Sequence, residues 1–537
     1  MANRERQVRI YDLHSWTGVA LGLLLFLVAF TGCVALFFGE FQPWEDPAQR
    51  IQRHGDAIPL HGMLADVASD VGAKGELAYL SVTPGGHGHA HAEVYASWRD
   101  ADGEIHQEHM HINPNTGEVM PERGSGASRF LYDLHRDLAW PDALGGRQVG
   151  RFIVGVVGIA FMLTIVTGIV AHTKITKELF TLRYLRSVRL KWQDTHKVFG
   201  LWTVPFSAMI ALTGAWLGVI ALVTPLFAAI VAKGDVEALY KEFGLAAGEP
   251  SGIAADMLSV DQFTPSVHPK TGEPLVFISV DNWGDQTAVY HLYYGVSDQL
   301  KYYDELKVSA VSGEPIVDRS SQLAERPAFR ISAAFSPLHY GTFGGIFLKV
   351  IYFLLGLALA VMAALGNMMW IERRLHGNEG SRTDAFYRKL SAINTGVCVG
   401  LPLASVAAIG FDKLYFGAEQ ARYSTVASVF FFVWFVAGAF AYWRRADYRS
   451  TKELLFALAA CLFSLPILNT AVTGDFIVTS FGTGASASAW FDIAFLILAG
   501  CVIAAGIRLP AERPVKKKVA RKDAEPVVAE PIAVPAE

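Results

Sequence analysis

One short pattern, Asp-x-His-x3-Gly-x12-Thr-Gly, occurs twice in the sequence. Its members are Asp12, His14, Gly18, Thr31 and Gly32 in the first copy and Asp194, His196, Gly200, Thr213 and Gly214 in the second. Each copy opens a long apolar run, so each places a histidine at the mouth of a membrane-spanning helix. An ionisable side chain at that depth indicates a functional site. The repeat therefore predicts two related halves with a histidine at the same depth in each.

The apolar runs predict a polytopic α-helical membrane protein. The chain has 537 residues, of which 52% are hydrophobic and 18% charged, and a helix needs about 20 apolar residues to cross the bilayer core. Eight such runs occur, near 16–38, 149–171, 197–223, 344–371, 391–411, 424–443, 453–474 and 487–507. The first is not a cleaved signal peptide, because its apolar core is too long and no Ala-x-Ala site flanks it.

Positive charge predicts the orientation of the spans. The Lys- and Arg-rich segments are 1–13, 172–197, 372–390, 444–452 and the tail after residue 508. By the positive-inside rule both termini lie in the cytoplasm, and the large loops 39–148 and 224–343 lie on the outer side of the membrane. The net charge of −4 gives no indication of a nucleic-acid partner.

The two large loops read as small exported α+β domains. Alternating residues predict strands near 92–98 and 104–113 in the first loop and near 275–280, 287–294 and 306–311 in the second. The predicted order is span 1 (1–38), a first domain (39–148), spans 2 and 3 (149–223), a second domain (224–343), span 4 (344–371), four C-terminal spans (391–507) and a disordered cytoplasmic tail (508–537). The first four spans form an internally duplicated four-helix core.

Two further histidines, His135 and His339, precede spans two and four and so occupy equivalent places in the halves. Duplication predicts an inner pair, His14 with His196, and an outer pair, His135 with His339. Two imidazoles that face each other across a bundle suit a bis-histidine haem. Because no Cys-x-x-Cys-His motif is present, both haems would be non-covalent, of b type.

The place of His172 at the end of the second span is left open. Aligning Gly168 with Gly366 puts Trp370 opposite His172 and leaves His376 in a polar loop. His172 is then either an alternative inner ligand or a residue that supports the inner site. The aspartates two residues before three of the paired histidines would either accept an imidazole N–H or cap a helix, and capping is favoured because positions i and i+2 do not share a helix face.

A histidine-rich stretch in the first large loop is a candidate metal site. Its histidines are His87, His89, His91, His109 and His111. Alternate residues of an extended chain share one face, so these imidazoles would bind a metal or a metal complex together. The alternative is a solvated, glycine-rich segment without a ligand.

The sequence resembles the PepSY-associated transmembrane-helix proteins, a bacterial inner-membrane family that includes dihaem siderophore-iron reductases. The resemblance rests on His14 with Gly18 and Thr31-Gly32, Leu134-His135-Arg136, Gly168 to Arg183, Asp194-Thr-His196, Leu338 to Gly345, and Asn113 to Val119. It covers residues 1–375 and implies outward electron transfer to a ferric chelate.

The function that these observations favour is haem-dependent reduction of a periplasmic ferric-siderophore in iron acquisition. Reduction weakens the hold of a hard-oxygen chelator on iron. The cytoplasmic loops are too short for a nucleotide or flavin domain, so the electrons come from a separate reductase or from quinol. Two alternatives are a non-redox PepSY protein that binds or regulates a periplasmic peptide or enzyme, and an accessory protein of metal uptake. Metal uptake through the bundle would require carboxylates inside the spans, where we find essentially none.

Overall fold

The computed structural model describes most of the chain. The described residues are 2–47, 50, 59–83, 92–113, 115–120, 126–172, 175, 179–180, 183, 188–231, 233–235, 248–263, 267–295, 300, 304–317, 326–375, 382–444, 447–482 and 486–512. Within them, eight helical segments are long and apolar enough to cross a membrane, close to the predicted runs. The prediction of a polytopic helical membrane protein is confirmed. Most of the predicted disordered tail, from residue 513 onward, lies outside the described residues.

Several membrane-spanning helices extend beyond the apolar runs that predicted them, and the fifth run is divided between two helices. They are α1 (Ala2–Ala35), α2 (Phe38–Glu45), α3 (His61–Lys74), α4 (Ala127–Asp137), α5 (Gly146–Ala171), α6 (Val188–Val231), α7 (Pro327–Tyr340), α8 (Gly345–Leu375), α9 (Arg382–Cys398), α10 (Gly400–Lys413), α11 (Arg422–Arg444), α12 (Asp447–Thr473), α13 (Ile477–Gly482) and α14 (Ser486–Arg508). The extra turns of α1 and α6 carry polar residues at their amino ends, including both histidines of the repeated pattern.

Four helices form the duplicated core. α1 packs against α5 and α8, and α6 packs against the same two helices, so the four make a closed ring. The short helices α4 and α7 precede α5 and α8, so each half runs long helix, short helix, long helix. α5 and α6 approach closely, since a Cβ added at Gly218 would lie 2.5 Å from the Cα of Gly155. Small residues at such a contact let two helix backbones meet.

The two large loops build one continuous sheet. Its strands are β1 (Glu76–Thr83), β2 (Ala92–Arg99), β3 (Ile105–Ile112), β4 (Val119–Met120), β5 (Leu275–Asp281), β6 (Val289–Tyr294), β7 (Asp304–Ser309) and β8 (Pro315–Ile316). The order is β4-β3-β2-β1-β5-β6-β7-β8, and each loop supplies one antiparallel set of four strands. The sets join where β1 pairs with β5 through Leu80 and Val280. The two α+β units predicted from the sequence therefore share a sheet.

The two faces of this sheet differ in chemistry. One face is apolar, and its Leu80, Val82 and Ile278 are fully buried in a cluster that includes Leu64 and Val71 of α3. Side chains alternate along a strand, so the other face presents polar and aromatic residues. These include Ser81, Glu93, Tyr95, Ser279 and His291.

The C-terminal helices α9–α14 pack against one side of the core and share a buried cluster with it. Three of their fully buried side chains, Leu401, Phe430 and Leu465, belong to the cluster that contains Trp44 of α2 and Phe130 of α4. The C-terminal helices therefore bury the outer surfaces of the two short elements that flank the core.

A buried ionic contact fixes the amino end of α4. Arg422 donates two hydrogen bonds to Asp412, at 2.6 and 2.7 Å, and the two side chains are 3% and 0% exposed. Asp412 also accepts the backbone N–H of Ala127 at 3.2 Å, and Glu45 accepts that of Ser128 at 2.8 Å. Carboxylates at a helix N-terminus satisfy its unpaired N–H groups and its dipole.

Two buried acids, Asp412 and Asp492, correct an expectation from the sequence. Asp412 lies at the end of the fifth span and Asp492 lies inside the last one, although we expected essentially no carboxylate there. Asp492 accepts hydrogen bonds from Trp44 Nε1 at 2.7 Å and from Asn469 Nδ2 at 2.8 Å. Both carboxylates serve contacts between helices, so they do not favour metal uptake through the bundle.

Removing Asp412 should destabilise the protein strongly. Asp412→Ala leaves the Arg422 guanidinium buried without its carboxylate, which costs about 3–5 kcal/mol of unfolding free energy. Arg444→Ala is a matched control, because Arg444 and Glu453 form an ion pair 33% and 37% exposed and such pairs are worth about 0–1 kcal/mol. Denaturant titration of the purified protein measures both. Equal losses in the two variants would contradict this account of the contact.

Glu45 should make stability depend on pH. Burial and the neighbouring charge of Asp412 raise the pKa of Glu45 from 4.5 to about 8. Because the folded state holds this proton more tightly, the contribution of Glu45 is complete below the unfolded pKa and is lost as pH rises through about 8.

Between about pH 6 and pH 9, the melting temperature of the native protein should therefore fall more than that of Glu45→Gln. The corresponding difference in unfolding free energy is on the order of a few kcal/mol. Parallel melting curves across that range would show that Glu45 holds no such proton.

Candidate cofactor site

His135 and His339 lie close together at the end of the core that faces the sheet. We call them the sheet-side pair; α4 carries one and α7 the other. Their ring centroids are 6.1 Å apart, and the ring planes differ by 23°. Two imidazoles on opposite sides of one metal, each with a bond of about 2.0–2.1 Å, would have centroids roughly 6 Å apart. The spacing therefore suits one metal ion between the two rings.

Each ring of the sheet-side pair lies against a glycine of a core helix. A Cβ added at Gly32 of α1 would lie 2.8 Å from Cε1 of His135, and one added at Gly214 of α6 would lie 3.0 Å from Cε1 of His339. Any larger residue would push the ring away. The Thr-Gly pairs of the repeated pattern therefore seat the sheet-side histidines.

The other two predicted histidines repeat the arrangement at the opposite end of the core. We call His14 and His196 the distal pair. A Cβ at Gly168 of α5 would lie 2.8 Å from Cε1 of His14, and one at Gly366 of α8 would lie 3.1 Å from Cε1 of His196. The two histidines are also close enough for a charge on one to act on the other. The duplicated pattern predicted both pairs, and the structure brings each pair to one end of the core.

Hydrogen bonds orient all four rings in the same way. The Nδ1 atoms of His14, His135 and His196 lie 2.9 Å from the carbonyl oxygens of Thr164, Val28 and Met362, respectively. In each case that carbonyl lies four residues before the seating glycine. Because a carbonyl only accepts, Nδ1 carries the proton and Nε2 keeps its lone pair. This is the tautomer that binds a metal through Nε2.

His339 reaches the same tautomer through a side chain. Its Nδ1 lies 2.9 Å from the hydroxyl oxygen of Thr213. That hydroxyl donates its own hydrogen to the carbonyl oxygen of Met209 at 2.8 Å, so it accepts the Nδ1–H of His339. Burial lowers the pKa of His135 and, with the charge of His135, lowers that of His339 to about 3. Both rings are therefore neutral, as metal ligands must be.

A large cavity opens beside the sheet-side pair. Its volume is about 1260 Å³, and both histidines and both of their seating glycines line it. Ligand sites of drug-sized molecules occupy about 300–1,000 Å³, so there is room for a bulky planar group and a second ligand. The cations in its wall are Arg129, Arg136, Arg151, Lys349 and Arg422.

The two pairs are separated by most of the membrane thickness. Gly32 lies eighteen residues after His14 on α1, and Gly214 lies eighteen after His196 on α6. At 1.5 Å per residue the two ends of the site are about 27 Å apart along the helices. Between them Phe161, Ala211 and Leu359 form a buried apolar cluster. The same three side chains also line the cavity beside the sheet-side pair.

His172 lies beside the distal pair without a glycine seat among the described residues. It directly follows α5, and its N–H donates to the carbonyl of Ile169 at 3.1 Å. His172 comes four residues after Gly168, as Trp370 comes four after Gly366. The Nε1 of Trp370 is buried and has no acceptor among the described residues, so it is a donor that a bound polar group would satisfy. The predicted loop residue His376 lies outside the described residues.

The aspartates near the histidines do not bind the imidazoles. Asp194 accepts hydrogen bonds from Arg183, the shortest at 2.7 Å, and Asp133 accepts from Arg136 at 2.7 Å and from the Tyr423 hydroxyl at 3.1 Å. Sequence reasoning did not find the true acceptors. Backbone carbonyls one turn from a glycine carry no side-chain signal, and Thr213 lay within the pattern without an assigned partner.

The predicted metal-binding histidines are described only in part. His87, His89 and His91 lie outside the described residues. His109 and His111 follow one face of β3, with ring centroids 4.6 Å apart. Their nitrogens lie 3.5 Å and 3.7 Å from the carboxylate oxygens of Glu93 on β2. The sequence did not single out Glu93, because only the pairing of β2 with β3 brings it there.

A second acidic and histidine cluster occupies the β2–β3 turn. One ligand atom from each of Asp100, Glu104 and His106 lies within 4.8 Å of the others. Asp100 accepts the backbone N–H groups of Asp102 and Glu104, at 3.0 and 2.9 Å. Its carboxylate therefore shapes the turn.

Comparison with known proteins identifies the family. Residues 11–373 match the model of the PepSY-associated TM region, and the chain belongs to this family. Over 357 residues the chain is 25% identical to an uncharacterized protein of Pseudomonas aeruginosa, a match that covers 62% of this chain and 84% of that protein. The family match ends within α8, so α9–α14 lie beyond it.

Proposed function

We propose that this PepSY-associated membrane protein is a b-type cytochrome that carries electrons across the bacterial inner membrane to a periplasmic ferric complex of the siderophore class. The observation that carries the proposal is the repeated seat of four histidines. Each ring lies against a glycine of a core helix, and its Nδ1–H bonds to an oxygen of the helix that carries this glycine. Four neutral Nε2 atoms are thereby presented in two pairs.

The residues at the sheet-side end fit a haem. His135 and His339 would hold the haem iron through their two imidazoles, the seating glycines bring helix backbone against those rings, and the cavity has the necessary room. Arg151 in its wall would suit a propionate, since a guanidinium group binds a carboxylate through a pair of hydrogen bonds, whereas Arg136 already pairs with Asp133 and Asp137. A bis-histidine haem supplies reversible one-electron Fe(III)/Fe(II) chemistry when bound.

The distal end offers the same ligand set, two histidines seated on glycines. His14 and His196 are seated as the sheet-side histidines are, and no atom lies within 4 Å of a Cβ added at Gly18, one turn from His14. That open backbone leaves space for a flat group beside the ligand. The buried N–H of Trp370 is the donor that an acidic substituent would satisfy.

The protein's own residues set the direction of electron transfer and exclude water between the two histidine pairs. The positive-inside rule supports a distal pair on the cytoplasmic side and a sheet in the periplasm. The distance of about 27 Å between the two ends is close to the roughly 30 Å of the hydrocarbon core. Electrons enter at the distal pair from quinol or a separate reductase, and leave at the sheet-side pair toward the acceptor. The buried layer of Phe161, Ala211 and Leu359 excludes water between them.

Purified protein should contain two non-covalent haems with bis-histidine spectra, and each pair should hold one of them. His135→Ala or His339→Ala should remove one haem, and His14→Ala or His196→Ala should remove the other, because a haem held by one imidazole dissociates readily. Pyridine-haemochrome quantitation and low-spin absorption bands measure this. Protein without haem from haem-supplied cells would exclude the proposal and favour a non-redox PepSY protein.

His172→Ala is the control for the distal pair. His172 has Trp370 as its counterpart, and an indole does not ligate iron, so the variant should keep both haems with a shifted potential of the distal one. Loss of the distal haem in His172→Ala together with its retention in His14→Ala would replace the pair by His172 and His196.

A matched pair of threonine variants tests the hydrogen bond to His339. Thr213→Val removes the acceptor of the His339 Nδ1–H. Thr31→Val changes the equivalent residue, whose hydroxyl bonds to no imidazole but to the carbonyls of Leu27, at 2.8 Å, and Val28, at 3.3 Å; the Val28 carbonyl also accepts the His135 Nδ1–H, at 2.9 Å, and keeps that bond in the variant. An accepted Nδ1–H makes an imidazole more basic and so stabilises Fe(III). Redox titration should show a higher sheet-side potential in Thr213→Val and little change in Thr31→Val. The same shift in both would assign the effect to helix packing.

A further inference from the structure

Strand pairing creates a group of metal-binding side chains on the polar face of the sheet. In the β2–β3 pair, Glu93 stands opposite His111, and Tyr95 stands opposite His109. Alternate residues point to one face, so Glu93, His109 and His111 share a face and are immediate neighbours. A Glu93 oxygen lies 3.5 Å from His109 Nε2, and the other lies 3.7 Å from His111 Nδ1.

Each distance runs to a different oxygen of Glu93, and each is close to the separation of two donor atoms on one ion, so the carboxylate would use one oxygen toward each imidazole. Two donor atoms bound to one ion at about 2.0–2.2 Å, at angles from 90° to 120°, lie roughly 2.8–3.8 Å apart. Two imidazoles and one carboxylate on one side of the ion are the donor set of open-sided non-haem Fe(II) centres. Three protein ligands leave further positions on the ion for water or for a departing chelator.

The location of the group relates it to the sheet-side pair. Glu93, His109 and His111 line the same cavity of about 1260 Å³ as His135 and His339. Their side chains are 24%, 37% and 16% exposed, so they are half-buried in its wall and accessible from it. The apolar face of the sheet is covered by α3, so the polar face is the one that a soluble ion reaches.

We propose that Glu93, His109 and His111 form a binding site for a divalent transition metal, and that Fe(II) released at the sheet-side pair is its ion in the working protein. The identity of the ion rests on the proposed function, whereas metal binding itself does not. In the reaction, a ferric chelate takes one electron from the sheet-side centre and separates into Fe(II) and the free chelator.

The chemistry of the two ligand sets gives this step its direction. A hard-oxygen chelator holds Fe(III) strongly and Fe(II) weakly, while imidazole suits first-row divalent ions. The triad would therefore retain the reduced ion and let the chelator leave, which opposes reoxidation within the same complex. The cluster of Asp100, Glu104 and His106 lies elsewhere, at the β2–β3 turn, and serves as the control.

Metal titration of the full-length protein in detergent tests the site. Co(II) is the probe, because it reports its ligands by absorption, and Fe(II) is then measured under anaerobic conditions by competition. We expect one site whose affinity falls at least about tenfold to a hundredfold in Glu93→Gln and in His111→Ala. His106→Ala should bind as the native protein does.

Three outcomes would overturn the site: no saturable binding, loss of binding in His106→Ala, or unchanged binding in Glu93→Gln and His111→Ala. Melting temperature and haem content of each variant verify that it is folded. Haem-free protein that still binds Co(II) through the triad would contradict the proposed function alone. Haem-replete protein that binds no Co(II) would contradict the metal site alone.

Discussion

The contact on which the structure depends is an imidazole ring lying against a helix backbone at a glycine. Its Nδ1–H bonds to a carbonyl one turn earlier in three cases and to a threonine hydroxyl in the fourth. The glycine permits the close approach, and the hydrogen bond sets the rotation of the ring and its tautomer. Because each ring comes from one element and its seat from another, every such contact also fixes the spacing of two elements of the core.

The rest of the molecule supports these contacts. His135 lies near the carboxyl end of α4, and Asp412 and Glu45 accept the N–H groups at its amino end. Asp412 belongs to the C-terminal helices, which lie beyond the family match. Through Asp412 they hold the amino end of α4, and with it His135 of the sheet-side pair. The sheet, in turn, closes the cavity beside that pair with the polar face that carries Glu93. The C-terminal helices thus support the position of His135, and the sheet supports the wall of the cavity.

The sequence predicted the features that are duplicated along the chain or that follow a regular residue spacing. Apolar runs predicted the spans, the duplicated pattern predicted which histidines are equivalent, and alternation predicted five of the strands. It did not reach contacts between distant elements. The repeat showed that the Thr-Gly pairs are equivalent, but not that Gly32 and Gly214 seat the histidines of the other end. Glu93 and Asp412 acquire their partners only through strand register and helix docking, which no local pattern records.

Electron transfer through a sealed membrane tests the central claim most directly. Proteoliposomes would be loaded with a membrane-impermeant reductant, and a ferric chelate would be supplied on the sheet side together with a chromogenic Fe(II) chelator. The account predicts external Fe(II) at a rate that depends on both histidine pairs: His14→Ala and His339→Ala, with one pair disrupted in each, should both abolish it. Haem-replete protein that leaves the external chelate oxidised, while both of its haems become reduced, would contradict the account.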